Sequence, residues 1–358
     1  MAAPLKVMIV DDSSVSRRLL TTVLEGMADV QNVGSAPSGS IALKKIPQLQ
    51  PDIVLQDIEM PEMSGIEVLQ SVRAMFPYVA VVLVSGVNSR SADIVVEGLS
   101  KGAADFISKP EGTSLEENLA RMRRELGAVF MAVRARNLLR PATQDAGAAP
   151  AAAPRPAALQ LAVRSGKIAM VAIGVSTGGP QALGEVIPRL PSALRVPVVI
   201  VQHMPPVFTA SLARSLDRQS QLRVHEAADG HPILPGTVYL APGGLHMCLR
   251  RAPEGSEGWV VALRDGPPVN SCKPAVDILF QSIAEEVGGR TLAVIMTGMG
   301  QDGLHGVEQI KRTGGICLTQ TRETCVVYGM PQAVDQAGLS DESVPLNQLA
   351  DRIASLAT

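Results

Sequence analysis

Short aliphatic runs alternate with amphipathic stretches from Leu5 onward. Val7–Val10, Ile53–Leu55 and Val79–Val84 read as buried strands with helical periodicity between them, which predicts a parallel sheet covered by helices. In such a sheet the groups that do chemistry gather beyond the carboxyl ends of the strands. Ser114–Arg136 reads as a closing helix, and the following Pro141–Pro156 is so rich in Ala and Pro that it builds no core and reads as an extended tether. A second series of strand and helix signals starts at Lys167–Gly174 and runs to about Leu356, broken by glycine-rich turns at Gly178-Gly179, Gly243-Gly244 and Gly298–Gly303. Within it, Val238–Leu240, His246–Leu249 and Trp259–Leu263 are short alternating segments between Pro and Gly, and they predict an antiparallel insertion. The expected organisation is a first α/β domain over 1–136, a tether over 137–165, and a second, doubly wound and mostly parallel α/β domain over 166–358.

A length of 358 residues suits two domains. Lys and Arg number 32 against 34 Asp and Glu, a balance that argues against a nucleic-acid or anionic-membrane role driven by charge. Met1–Lys6 shows no basic-then-apolar leader pattern, and no apolar run approaches the ~18 residues of a membrane span, so a cytoplasmic protein without membrane insertion is expected. The four cysteines, Cys248, Cys272, Cys317 and Cys325, include no C-x-x-C pair; neither a zinc site nor a disulfide framework is indicated.

Candidate chemistry in the first domain lies at strand ends. Asp11 and Asp12 follow one strand, Asp57 another, and Ser85 and Lys109 follow two more. Three carboxylates brought together repel one another unless a cation joins them, and hard divalent ions such as Mg2+ take oxygen ligands and bridge to phosphate. Any one of these acids serves equally as a helix cap, but the full set at separate strand ends points to phosphoryl chemistry.

In the second domain Gly174-Val-Ser-Thr-Gly178 follows a strand and precedes a helix, a turn that presents the Ser176 hydroxyl at a sheet edge. A phosphate-cradling loop accounts for the same glycines, and the loop alone leaves both readings open. A serine nucleophile needs a base, and of five histidines only His203 directly follows a probable parallel strand, Val198–Gln202. Asp302, in the glycine-rich loop after Leu292–Ile295, is the candidate orienting carboxylate, with capping of the next helix as its rival role. The backbone N–H of Met299 in that loop is a candidate oxyanion donor.

Val10-Asp-Asp-Ser13, Gln56-Asp-Ile-Glu-Met-Pro61, Ser85-Gly86 and Gly102–Pro110 together resemble the receiver domain of bacterial response regulators. The resemblance implies a flavodoxin-like (βα)5 fold in which Asp57 accepts a phosphoryl group from a histidine kinase. It further implies that Asp11, Asp12 and Asp57 hold Mg2+, while Ser85, Phe106 and Lys109 form the switch. Ser64 departs from the family, which often has Asp before this glycine.

Gly174–Pro180, Gln202–Pro206, Leu240–Gly243, Asp265–Asn270, Ala275–Asp277, Met296–Gly303 and Gly329–Pro331 resemble the chemotaxis protein-glutamate methylesterases, the CheB family. That resemblance implies Ser176 as nucleophile, His203 as base, Asp302 as orienting carboxylate, Met299 at the oxyanion and Thr177 in support. It implies hydrolysis without a cofactor, glutamine deamidation at the same site, and methyl-accepting chemoreceptors as substrates. Val175 stands where the family commonly has Ala, and His246 reads as structural. A receiver that covers the Ser176 edge until Asp57 is phosphorylated is the expected regulation. A DNA-binding regulator predicts a small basic output domain that 167–356 lacks. A non-catalytic binding module is the remaining rival.

Overall fold

The computed structural model describes residues 3–110, 114–138, 168–253, 255 and 258–357. These fall into two compact units, Met1–Asn137 and Leu138–Thr358. The Ala/Pro-rich stretch lies outside the described residues.

In the first unit β1 (Leu5–Val10), β2 (Val30–Ala36), β3 (Ile53–Asp57), β4 (Ala80–Ser85) and β5 (Asp105–Ser108) form one parallel sheet in the order β2-β1-β3-β4-β5. Helices α1 (Ser14–Glu25), α2 (Gly39–Leu49), α3 (Gly65–Met75), α4 (Ser89–Ser100) and α5 (Leu115–Leu138) connect and cover the strands. β3 and β4 are buried along their whole length, as strands with helices on both faces must be. Ser64 is the N-cap of α3: its hydroxyl accepts from the Glu67 backbone while the Glu67 carboxylate accepts from the Ser64 N–H at 2.8 Å. The residue that departs from the receiver pattern is thus a helix starter.

The second unit is built on seven parallel strands, β6 (Met170–Val175), β7 (Val198–Gln202), β8 (Arg223–Glu226), β9 (Thr237–Leu240), β12 (Thr291–Ile295), β13 (Ile316–Gln320) and β14 (Glu342–Val344), ordered β14-β13-β12-β6-β7-β9-β8. Successive strands run one way from β6 through β7 and the other way through β12, so the winding reverses beside β6. A crevice opens at such a reversal, beyond the carboxyl ends of the strands. α6 (Gly179–Val186), α7 (Phe208–Gln219), α8 (Val276–Glu286), α9 (Leu304–Arg312), α10 (Met330–Gln336) and α11 (Leu346–Ala357) are the helices of this unit among the described residues. Phe280 and Ile283 of α8 pack with Val199, Val201 and Ile295 of the sheet in one apolar core.

The insertion is smaller than the sequence predicts. Among the described strands only β10 (His246–Arg251) and β11 (Trp259–Arg264) pair antiparallel. Val238–Leu240 instead lies in β9, parallel to β7 and β8, because it is buried on both faces and belongs inside the main sheet.

Candidate active site and phosphoacceptor pocket

The acidic pocket follows from register. Val10 pairs with Gln56, Asp57 with Val84, and Ser85 with Ser108, so Asp11, Asp57, Ser85 and Lys109 emerge side by side from four strand ends. Lys109 Nζ lies 2.9 Å from Asp57 Oδ2 and 3.1 Å from Asp11 Oδ2. Asp11, Asp12 and Asp57 each bring a carboxylate oxygen within 4.8 Å of the others. Burial pushes the Asp57 carboxyl up to about 6, with Lys109 pulling it down and Asp11 pushing it up. An all-oxygen donor set, with its charge only partly offset by one lysine, fits a hard divalent cation. Ser85 Oγ donates to the Gly86 carbonyl at 2.9 Å, and Phe106 is half-buried on β5.

The second site is assembled by the same logic. Val175 pairs with Gln202, and Ile295 with Gly174, so Ser176 and His203 are the residues just beyond adjoining strands, with Thr297 across the β12 side. The Ser176 N–H donates to the Thr297 carbonyl at 3.0 Å, and Gln202 Nε2 donates to the Ser176 carbonyl at 3.0 Å. The chain then turns sharply through Gly178, at φ 77°, into α6. At Gly179 a Cβ would stand 1.8 Å from Gln202 Oε1, so a side chain there would displace the amide that bonds to the Ser176 carbonyl.

His203 Nε2 lies 2.8 Å from Asp302 Oδ2. Asp302 is 2 % exposed, yet each of its oxygens is satisfied. Oδ2 also accepts from the Val276 N–H at 2.7 Å; Oδ1 accepts from Asn270 Nδ2 at 2.9 Å and from the N–H groups of Asp277 and Gly303. Val276 and Asp277 open α8, so the carboxylate caps that helix from another loop and sits at the positive end of its dipole. Burial raises the Asp302 carboxyl, and its contacts with His203, Asn270 and Val276 outweigh this and hold it below the usual range. Burial likewise opposes a charged His203, but Asp302 and Cys272 prevail and push the imidazole up to about 9. Asp302 is therefore placed to stabilise the imidazolium that forms when His203 takes a proton.

With the carboxylate on Nε2, that nitrogen carries hydrogen, and Nδ1 is the position that holds the lone pair once the ring is neutral. Nδ1 faces Cys272 Sγ at 3.4 Å. The Ser176 hydroxyl makes no hydrogen bond among the described residues. The backbone N–H groups of Thr177 and Met299 are likewise without partners there, and Met299 is exposed beside Gly300, whose φ is 82°. An oxyanion formed at Ser176 would need backbone donors of this kind nearby. His246 is satisfied structurally: its Nε2 meets the Pro267 carbonyl at 3.0 Å and its Nδ1 accepts from the Ala275 N–H at 3.2 Å.

Three residues of the site carry roles that their motifs did not reveal. Asn270 bridges Asp302 and Asp277, the latter at 2.8 Å. Thr297 ties the serine turn to the Val327 segment, its hydroxyl donating to the Thr177 carbonyl at 3.0 Å and accepting from the Val327 N–H. Cys272 meets the histidine. Asn270 sits in the Asp265–Asn270 motif and Thr297 in Met296–Gly303, which was the available signal; Cys272 had none.

A five-stranded receiver-type sheet with an acidic pocket, followed by a parallel sheet with a His–Asp pair beside a serine turn, is the layout of a hydrolase linked to a receiver. The family model described as CheB methylesterase matches residues 171–353, and that of the response regulator receiver domain matches 7–120. The chain is 41% identical over 348 residues to the protein-glutamate methylesterase/protein-glutamine glutaminase of Trichodesmium erythraeum (strain IMS101), covering 97% of each chain. It is 40% identical to the protein of the same name from Desulfotalea psychrophila (strain LSv54 / DSM 12343), over 98% of this chain and 97% of the relative. The crystal structure of the Thermotoga maritima CheB methylesterase catalytic domain matches with a TM-score of 0.51 and 43% identity, covering 53% of this chain and 98% of that one. The chain belongs to the CheB methylesterase family.

Proposed function

We propose that this chain is a phosphorylation-activated protein-glutamate methylesterase, and a protein-glutamine glutaminase by the same chemistry, acting on methyl-accepting chemoreceptors in the cytoplasm. The observation that carries the reading is the His203–Asp302 pair, 2.8 Å apart, at the sheet edge where register sets Ser176 beside His203. Ser176 attacks the γ-carbonyl carbon of a methylated glutamate while His203 accepts its proton through Nδ1. The oxyanion takes hydrogen bonds from the Met299 and Thr177 N–H groups; a donor of this kind contributes about 3–4 kcal/mol to the transition state. The proton returns from His203 to the leaving methoxide, and methanol departs. Water, deprotonated by His203, then releases the glutamate. For glutamine the leaving group is ammonia, and the remaining steps are unchanged. Hydrolysis proceeds without a cofactor, and a non-catalytic binding module is not favoured.

On this reading residues 1–136 are the receiver, 137–165 the tether and 166–358 the catalytic domain. A histidine kinase supplies the phosphoryl group to Asp57. Asp11, Asp12 and Asp57 are the residues that would hold Mg2+, which would supply neutralising positive charge for that transfer. Lys109 bonds to Asp57 and Asp11 directly, so a phosphoryl group on Asp57 gives it a new partner, and Ser85 and Phe106 rearrange in response.

The test is methanol release from methylated receptor membranes by wild type, Ser176→Ala and Asp57→Asn, with and without a small phosphodonor plus Mg2+. Release is expected to vanish in Ser176→Ala, and to rise with phosphodonor only while Asp57 is intact. Undiminished release by Ser176→Ala sinks the nucleophile assignment.

A further inference from the structure

The structure places a sulfur, a nitrogen and a carboxylate together where the spacing of cysteines indicated no metal site. Cys272, His203 and Asp302 each offer a ligand atom within 4.8 Å of the others. We propose that Cys272 and His203, backed by Asp302, form a binding site for a thiophilic divalent cation such as Zn2+, and that its occupancy silences the esterase.

Three observations carry this. First, Cys272 Sγ and His203 Nδ1 are 3.4 Å apart. Zinc bonds of about 2.3 Å to sulfur and about 2.0–2.1 Å to nitrogen, at a tetrahedral angle, set their donors roughly 3.6 Å apart, so an ion fits between them with a shift of tenths of an ångström. Second, His203 gives its other nitrogen to a carboxylate, the arrangement that fixes and strengthens an imidazole ligand. Asp302 Oδ2 already serves His203 and Val276, which leaves the thiolate and Nδ1 as the inner ligands and Asp302 as their support. Third, Cys272 is held in place. The turn Val269–Cys272 closes with two backbone hydrogen bonds, 3.0 and 2.8 Å, through Asn270 and Ser271 at φ 51° and 63°. Half-buried, the thiol stays within reach of an ion from solvent.

On binding, a metal–sulfur bond replaces the S–H bond and a metal–nitrogen bond takes the Nδ1 lone pair; the thiol proton, and the Nδ1 proton of the charged ring, leave to water. That lone pair is the one Ser176 needs, so the inhibitory consequence rests on the triad reading; the binding itself does not. Mixed sulfur and nitrogen donors favour borderline and soft ions, whereas the oxygen-only cluster at Asp11, Asp12 and Asp57 favours Mg2+. The two ions therefore address separate units.

The experiment uses the full chain in excess Mg2+. Co2+ serves as spectroscopic probe, and Zn2+ is titrated into the methanol-release assay, each variant being scaled to its own zinc-free rate. Wild type is expected to show a thiolate-to-Co2+ charge-transfer band that Zn2+ displaces, and Cys272→Ser to lack it. The Zn2+ concentration for half-inhibition is expected to rise at least tenfold in Cys272→Ser. Absence of the band in wild type, or a band and inhibition unaltered in Cys272→Ser, overturns the proposal. Ser176→Ala is expected to keep the band while losing release. A Ser176→Ala chain that still hydrolyses faults the triad reading and leaves the metal result standing.

Discussion

Asp105, the residue before the half-buried Phe106, shows how one side chain writes pH into the receiver. Burial pushes its carboxyl up to about 7; the Phe106 N–H, donating at 2.8 Å, pulls it down, and Glu125 pushes it up. An acid whose folded value is raised favours the fold when protonated, so its contribution is full below about pH 4 and is lost as pH rises through about 7. Thermal unfolding of the full chain between pH 5 and 8 is therefore expected to show the receiver transition falling with pH, and Asp105→Asn to flatten that fall. An unchanged slope in the variant removes the assignment. At this scale the sequence revealed residues that chemistry names outright: Asp57, Ser176 and His203 stand at strand ends as strand patterning implies, and Asp302 stands in the glycine-rich loop beyond β12. It concealed Asn270, Thr297 and Cys272, whose roles come from partners brought near by folding. Asn270 is 32 residues from the Asp302 carboxylate that it holds, and no local pattern encodes such a bond.

Elements explain why the serine turn tolerates so little change. Gly298, beyond β12, faces the turn that follows β6, and a Cβ there would stand 2.8 Å from the Ser176 Cβ and 2.4 Å from Met330 Sδ. Gly298→Ala is expected to cost about 1–3 kcal/mol of stability through overpacking. The displaced nucleophile is expected to lower methanol release at least tenfold. Parallel unfolding and rate measurements check both, and a variant matching wild type in the two would show that the turn accommodates a methyl group. The parallel strands were legible as apolar runs, but their neighbours were not. β9 is four residues long and flanked by Pro and Gly, so its alternation resembled a hairpin strand; burial on both faces decides for the central sheet, whereas β10 ends in exposed Arg250 and Arg251. Side-chain period reports which faces are covered, and topology needs the partner as well.

For the whole molecule, joining a phosphoacceptor pocket to a hydrolytic site implies that one unit governs the other. A chain beginning near Gly166 is expected to release methanol faster than the unphosphorylated full-length protein, and to ignore phosphodonor. Equal rates would argue for activation without inhibition. The hydrolytic unit itself distributes its dependence unevenly among the groups that do the work. Asp302 holds the first turn of α8 through the Val276 and Asp277 amides, while the Ser176 hydroxyl bonds to nothing in the described structure. A lineage released from the need to hydrolyse esters is thus free to discard the serine with little harm to the fold, and is held to the aspartate long afterwards. A surviving Asp302 in a descendant is no testimony to activity; a surviving Ser176 is.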